Sequence, residues 1–295
     1  MPPESQVDAP LILASLIILG ILGCSLTLWI RHIQKPRDTI NESPGIPAWS
    51  IGWVNFGIFI CAMVIAVFMA QNIGVALFFE ASSEGEAPRE LTPWIAVLAV
   101  LLLQLPMLAT FYGARRFYPG HYASELNVST LSAVTALRQA LPYFLMYLPV
   151  IWIVTLLWTS LLNALEAAGA IESFAPQELI TLFQAGGSPL AIGILVIMAI
   201  VLAPIVEEII FRGCIYRFLK SQTTRLPAQI LSSCIFSMMH ANLMSFVPLV
   251  IVGIVLARLY EKSGNLMVSI SFHAFFNAFS LCMLFITSMS QAIPQ

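Results

Sequence analysis

Charged residues are scarce in this chain. Lys, Arg, Asp and Glu together make up 9% of its 295 residues, whereas hydrophobic residues make up 59%. Soluble globular domains carry about 25% charged residues, so this composition excludes an ordinary soluble domain. It predicts an all-α fold, a polytopic bundle of helices that cross a lipid bilayer several times.

Several motifs with well-known chemistry are also missing. The five cysteines have neither CxxC nor CxxH spacing, which argues against a disulfide framework or a thiolate metal site. The chain has no HExxH zinc motif and no Gly-rich phosphate loop. Its net charge of −2 gives no indication of a nucleic-acid partner. It also lacks the internal repeat that many transporters show.

The apolar runs predict eight membrane-spanning helices, with seven as the alternative. The runs are, in chain order, 10–30, 51–71, 94–112, 141–162, 190–211, 228–245, 248–260 and 266–287. Run 248–260 is shorter than the roughly 20 residues that an upright crossing requires. Either residues 243–247 lengthen it, or it is a partial, buried helix. Amphipathic residues 128–140 predict a helix along the membrane interface, and residues 176–185 predict a short surface helix.

The basic residues predict the orientation in the membrane. With an outer N-terminus and eight crossings, all 13 Lys and Arg residues except Arg89 fall on one side, which the positive-inside rule makes cytosolic. We therefore expect a multi-pass protein of the bacterial plasma (inner) membrane with both termini outside. Glu207 is expected near the inner end of its helix, with its site open toward the cytosolic leaflet. Glycosylation-like sites at Asn41 and Asn127 would then both be internal and without meaning.

Two adjacent carboxylates, Glu207 and Glu208, close the fifth apolar run. An ionised carboxylate at membrane depth costs about 2.5–3.5 kcal/mol, so the pair is a candidate functional site. Neighbours on a helix point about 100° apart, so the two carboxylates face different ways. Glu208 and Arg212 have the i, i+4 spacing of a helical ion pair. Glu207 has no basic residue three or four positions onward, which leaves it as the candidate general base.

Two later apolar runs carry further polar residues at the same spacing. Phe236 and His240 share one helix face, and His273 and Asn277 share another. Together with Glu207, the two histidines and the asparagine could polarise a water and stabilise an oxyanion inside a bundle. Taken singly, His240 and Asn277 are equally well explained as hydrogen-bonded helix contacts. Six phenylalanines nearby predict either a packed aromatic layer or a groove for an apolar substrate: Phe211, Phe236, Phe272, Phe275, Phe276 and Phe279.

The order of these pairs resembles the motifs of the CPBP (Abi) intramembrane proteases, relatives of the type II CAAX prenyl endopeptidases. The motifs are EExxxR (Glu207, Glu208, Arg212), FxxxH (Phe236, His240) and HxxxN (His273, Asn277). The resemblance implies a catalytic helical core over residues 190–295, preceded by membrane helices without recognised motifs over residues 1–189. It also implies an endopeptidase, a hydrolase that cleaves a membrane protein or a lipidated peptide, with prenylated CAAX-type substrates among the candidates. In that family pattern Glu207 activates the water, and His240, His273 and Asn277 complete the site.

The residues leave the type of catalysis open. His240, His273 and Glu207 match a common zinc ligand set, which makes a zinc metalloprotease the first choice. The same groups suffice for metal-free glutamate catalysis, with His240 and Asn277 as donors to the oxyanion. Alternatives from other classes are a proton-coupled transporter or channel, since buried Glu and His also form proton relays, and a scaffold or bacteriocin-immunity membrane protein.

Overall fold

The structure of the protein, a computed structural model, describes residues 9–34, 45–78, 92–122, 126, 130–172 and 187–291. Within these ranges the fold is all-α, as predicted, with no β-strand. The helices are α1 (Ala9–Ile33), α2 (Trp53–Phe78), α3 (Pro93–Phe117), the short α4 (Pro119–Tyr122), α5 (Ala133–Ala167), α6 (Pro189–Gln222), α7 (Arg225–Met238), α8 (Leu243–Ser263) and α9 (Leu266–Gln291). The predicted surface helix over residues 176–185 and both glycosylation-like sites lie outside the described residues.

By length and composition, seven helices of the described ranges can cross a membrane: all except α4 and α7. The count equals the lower of the two predicted numbers, and the polytopic bundle is confirmed. The helix too short to cross is α7, however, and not the helix of run 248–260. The run predicted over 228–245 stops being helical after Met238, because Asn242 caps a new helix by accepting a hydrogen bond from the backbone N–H of Ser245 at 3.0 Å. Residues 243–247 therefore lengthen α8, which has 21 residues.

Helix α5 joins two predicted elements into one. Ser132 caps its start by accepting a hydrogen bond from the backbone N–H of Thr135 at 3.2 Å. From there 35 residues continue without interruption, through Pro142 and Pro149. The prediction of a separate interfacial helix over residues 128–140 is wrong from Ala133 onward, because this segment is the first part of a membrane-spanning helix.

Helices α7 and α8 form an antiparallel hairpin that starts and ends at the same end of the bundle. Glu261, near the end of α8, forms ion pairs with Lys220 at the end of α6 and with Arg225 at the start of α7. We call this end, with its exposed Arg225, the basic end. Helix α7 leads away from the basic end and α8 returns to it. Helix α9 therefore starts at the same end of the bundle at which α6 ends.

Residues 45–51 are bound to the basic end by buried and partly buried polar contacts. The backbone N–H of Ile46 donates to Glu261 Oε2 at 3.3 Å, and Lys220 Nζ donates to the carbonyl oxygen of Ile46 at 2.6 Å. Arg217 Nε donates to the carbonyl oxygen of Pro47 at 2.8 Å. Glu261, only 2% exposed, is thus shared by α6, α7, α8 and the segment before α2.

Two basic residues predicted for an inner loop are instead inside the bundle. Arg212 and Arg217 are 1% and 2% exposed and belong to α6, which continues to Gln222. Because both buried side chains have hydrogen-bond partners, α6 can continue through these charged residues. As a consequence Glu207 lies near the middle of a 34-residue helix. The expectation that it lies near the inner end of its helix is wrong.

Close packing of α7 against α8 depends on a glycine. A Cβ added at Gly253 would lie 2.7 Å from Ser233 Cβ and 3.0 Å from Ser233 Cα, closer than real Cβ atoms approach. The absence of a side chain lets the two helices touch backbone to backbone. It also leaves the Gly253 carbonyl oxygen 3.4 Å from Arg212 Nη2, which donates to it.

Candidate active site

The first motif folds as the ion pair that its spacing predicts. Arg212 Nη1 donates to Glu208 Oε1 at 2.9 Å, and both side chains are almost completely buried. The Arg212 guanidinium also lies over the ring of Phe236, 4.3 Å from its centroid. A desolvated cation over an aromatic face is stabilised by about 2 kcal/mol. Phe236 therefore supports the arginine from the neighbouring helix.

Glu208 is held by two further donors from α9. Ser269 Oγ donates to Glu208 Oε2 at 2.5 Å, and His273 Nδ1 lies 3.0 Å from Glu208 Oε1. Since an ionised carboxylate can only accept, Nδ1 of His273 carries the hydrogen and Nε2 is left as its second, free nitrogen. Glu208 thus fixes the tautomer and the ring orientation of His273.

Glu207 faces the other nitrogen of the same histidine. Its Oε2 lies 3.7 Å from His273 Nε2, beyond the range of a direct hydrogen bond. This oxygen is buried, and no described group donates a hydrogen bond to it. The side chain as a whole is 17% exposed, in contrast to Glu208 at 0%. Of the two adjacent carboxylates, one is saturated with donors and the other keeps lone pairs available to abstract a proton.

His240 is oriented by the backbone of the last turn of α7. Its Nδ1 lies 2.9 Å from the carbonyl oxygen of Phe236, which can only accept, so Nδ1 carries the hydrogen and Nε2 is free. The residue is exposed, just beyond the end of α7. Ala241, which follows, has φ +47°, a left-handed conformation that usually belongs to glycine. This residue reverses the chain and ends α7 beside the site.

Asn277 occupies its place because of an irregularity in α6. Residues Met198–Leu202 form a π-helical turn, in which the N–H of Ala203 bonds to the carbonyl oxygen of Met198. Pro204 has no N–H, so it cannot donate to the carbonyl oxygen of Ala199. Asn277 Nδ2 donates to that oxygen at 2.8 Å. A second π-helical segment, Glu208–Tyr216, carries Glu208 and Arg212. Such segments are frequent at functional sites.

One cavity of about 950 Å³ is lined by all four predicted catalytic residues, Glu207, His240, His273 and Asn277. The supporting residues Glu208, Arg212 and Phe236 lie behind its wall. The predicted convergence of three motifs is therefore observed. Two of the six phenylalanines line the cavity, Phe276 and Phe279, whereas Phe211, Phe236 and Phe272 pack in the buried core. The packed aromatic layer and the lining of the cavity are therefore formed by different phenylalanines of the set.

The predicted zinc ligands do not form a cluster. Among the described residues, no group of three or more His, Cys, Asp and Glu side chains is placed so that it could hold a metal ion. Glu207 and His273 are neighbours, and His240 shares only the cavity with them. As placed, the three side chains do not fit a bound zinc. The orientation of each imidazole by a partner on Nδ1 is nevertheless a feature that metal sites also use.

Sequence reasoning did not identify Ser269 as part of this network. It lies four residues before His273 on α9, so both side chains reach Glu208 from one helix face. The i, i+4 spacing that revealed the other pairs was present here too. A serine in an apolar helix carries little signal, however, because its hydroxyl often bonds to its own helix.

Comparison with known proteins agrees with the motifs. Residues 189–279 match the family model described as "Type II CAAX prenyl endopeptidase Rce1-like". A Bacillus subtilis (strain 168) protein named "Putative membrane peptidase YdiL" is 33% identical over 93 residues, which are 32% of this chain and 38% of that relative. The matched region thus spans about two-fifths of the relative's length. No solved structure matches the chain. The family resemblance is confirmed for the C-terminal helices, and the chain is a multi-pass integral membrane protein.

Proposed function

We propose that this protein is an intramembrane endopeptidase that cleaves peptide bonds with a water activated by Glu207. The observation that carries this proposal is the cavity, in which a carboxylate with an unpartnered oxygen meets two oriented imidazoles and a carboxamide within otherwise uncharged walls. The match to type II CAAX prenyl endopeptidases supports the same reaction class. It makes lipidated CAAX-type peptides one candidate substrate class beside unmodified membrane proteins.

In the proposed reaction, Glu207 removes a proton from water as the oxygen attacks the scissile carbonyl carbon. The new C–O bond converts the carbonyl oxygen to an oxyanion. The C–N bond then breaks, and protonated Glu207 returns the proton to the leaving nitrogen. A mostly apolar cavity suits this step, because electrostatic stabilisation is stronger in surroundings of low dielectric constant.

Asn277 and His240 are the proposed donors to the oxyanion. Asn277 uses one amide hydrogen on the Ala199 carbonyl oxygen and retains the other. His240 already donates through Nδ1 to Phe236, so its Nε2 donates only when the ring is protonated. In the neutral ring, Nε2 accepts a hydrogen bond instead.

His273 is the proposed positioning group for the attacking water. Its Nδ1–H is fixed on Glu208, so Nε2 is presented as an acceptor beside Glu207 Oε2. A water between these two atoms could donate one hydrogen to each. Glu208, Arg212 and Ser269 act through His273 and do not touch the substrate.

The row formed by Glu208, His273 and Glu207 also suits a second function, proton transfer through the membrane. An imidazole between two carboxylates is an arrangement that proton relays use. A proton-coupled transporter would depend on Glu207 without cleaving anything. Peptide cleavage and proton flux therefore separate the two functions.

The decisive experiment is cleavage of a peptide panel by the purified full-length protein in proteoliposomes. Wild type, Glu207→Gln and the exposed-site control Glu166→Gln are compared, with cleavage followed by mass spectrometry and proton flux by an internal pH dye. Cleavage that is lost only in Glu207→Gln supports the protease. Proton flux that depends on Glu207, without any cleavage, would contradict it.

A further inference from the structure

The catalytic cavity lies in the half of the bundle away from the basic end. Helices α5 and α9 run side by side in the same direction, since the rings of Phe144 and Phe272 are 6.0 Å apart and those of Trp152 and Phe279 are 5.8 Å apart further along. The cavity is lined by later residues of both helices, up to Thr159. On α8 it is lined by the first turns, which are far from Glu261.

The cavity continues beyond the catalytic residues as a groove. Its α9 wall is one side of the helix, formed by His273, Phe276, Asn277, Phe279, Ser280 and Met283. From the catalytic Asn277 to Met283 the helix rises about 9 Å. An extended peptide advances about 3.3 Å per residue, so the groove beyond the catalytic residues accommodates about three residues on one side of the scissile bond.

The groove beyond the catalytic cluster is uncharged. Apart from Glu207 and the two histidines, the described residues that line it are apolar, hydroxyl-bearing or amide side chains. Its polar groups are Thr155, Thr159, Asn242, Ser245, Ser280 and Asn277. A charged side chain bound here would lose its hydration without gaining a counter-ion. The groove therefore selects uncharged segments.

The turn between α7 and α8 indicates the side from which water enters. Helix α7 has 14 residues. It therefore rises only about 21 Å from Arg225, which as an exposed basic residue belongs at the membrane surface. The hydrocarbon layer is about 30 Å thick, so residues 239–242 lie at membrane depth. Non-helical backbone at that depth is tolerated where it lines a water-filled cavity, and exposed His240 borders this one.

We infer that the cavity is a substrate groove that binds an uncharged, extended segment, an inference that rests on the proposed function. The segment enters from the membrane side opposite the basic end. If the basic residues are cytosolic, as the positive-inside rule predicts, substrate and water come from the extracytoplasmic side. The sequence predicts both that the basic loops are cytosolic and that the site opens toward the cytosolic leaflet. Because the groove lies opposite the basic end, these two predictions cannot both hold.

The direction of the groove is tested by cysteine labelling, which needs no catalytic activity. In the full chain with its five native cysteines replaced by alanine, Ser280→Cys and Thr159→Cys mark the groove, and Gln222→Cys marks the basic end. We expect a membrane-impermeant maleimide to label both groove positions from the side opposite to Gln222→Cys. Labelling from the same side, or no labelling of either groove position from any side, would overturn the inference.

Selection against charge is tested with quenched-fluorescent apolar peptides in which a single Asp is moved along the chain. Within about three residues on one side of the cleaved bond, Asp should lower kcat/KM at least about tenfold, because the groove offers no counter-ion. Thr159→Trp, which fills the groove, should lower cleavage, whereas Leu157→Trp on the lipid-facing side of the same helix should not. Equal effects of Asp at all positions, or of both Trp variants, would contradict the groove. If wild type cleaves no peptide, the proposed function fails, while labelling still decides the direction.

Discussion

Ser269 Oγ donates a hydrogen bond to Glu208 Oε2 at 2.5 Å, and both residues are completely buried. This contact holds one carboxylate oxygen, so that the other accepts from Arg212 and His273. Ser269 Oγ also lies 3.1 Å from the carbonyl oxygen of Leu256 on α8. Ser269 therefore acts on the reaction through Glu208 and the orientation of His273.

Ser269→Ala should lower kcat with little change in KM. The change leaves a buried carboxylate oxygen without its donor, which costs about 1–3 kcal/mol. Ser271→Ala is the matched control, because Ser271 Oγ donates only to the carbonyl oxygen of Met267 in its own helix. Steady-state kinetics of both variants tests the assignment. A similar kcat for the two would show that the contact is not needed for catalysis.

Glu207→Gln should abolish most of the activity and leave the fold intact. The amide keeps the size of the side chain but cannot take a proton, and general-base catalysis contributes about 10²–10⁴-fold in rate. Single-turnover cleavage, with thermal unfolding as a check on folding, measures the effect. A variant that retains activity within a few-fold of wild type would remove Glu207 from the mechanism.

Arg212→Ala should destabilise the protein more than Glu207→Gln does. It removes the partner of a buried carboxylate, a change that costs about 3–5 kcal/mol, together with the cation over the Phe236 ring. The apparent Tm in detergent, followed by fluorescence-detected size exclusion, compares the two variants. Equal Tm values would argue against a stabilising role for the ion pair.

Local spacing was sufficient to predict the contacts within one helix. The i, i+4 rule identified Glu208 with Arg212, and the same rule placed Phe236 and His240 on one face. Convergence on one cavity followed from the high cost of polar groups in an apolar bundle, which leaves few stable arrangements other than a shared site.

Contacts between distant parts of the chain could not be predicted in this way. Arg217 looked like a loop residue because its partner, the Pro47 carbonyl oxygen, lies 170 positions away in the chain. Glu261 likewise gave no sign of its partners on α6 and α7. The place of Asn277 depends on a carbonyl that Pro204 leaves without a donor, which becomes visible only when the π-helical turn is known.

Gly253→Ala should lower both stability and activity. The added Cβ would meet Ser233 Cβ at 2.7 Å and would push α8 away from α7, and with it the carbonyl oxygen that accepts from Arg212. Overpacking of this kind costs about 1–3 kcal/mol. Gly193→Ala on α6 is the control, since a Cβ there meets nothing within 4 Å. Thermal unfolding and kcat should be affected in the first variant alone.

The last prediction concerns metal dependence and the two histidines. Both imidazoles use Nδ1 on a fixed acceptor and keep Nε2 free, the atom through which each would either hold zinc or contact water and oxyanion. Because His240, His273 and Glu207 do not form a metal-binding group as placed, we expect protein purified with chelator to remain active with negligible bound zinc. His240→Ala should then lower the rate by about 10²–10³-fold, the effect of losing one oxyanion donor, without changing metal content. Metal analysis by mass spectrometry accompanies each assay. Activity that is lost with chelator and restored by zinc, together with loss of bound zinc in either His→Ala variant, would instead establish the zinc ligand set and replace the metal-free mechanism.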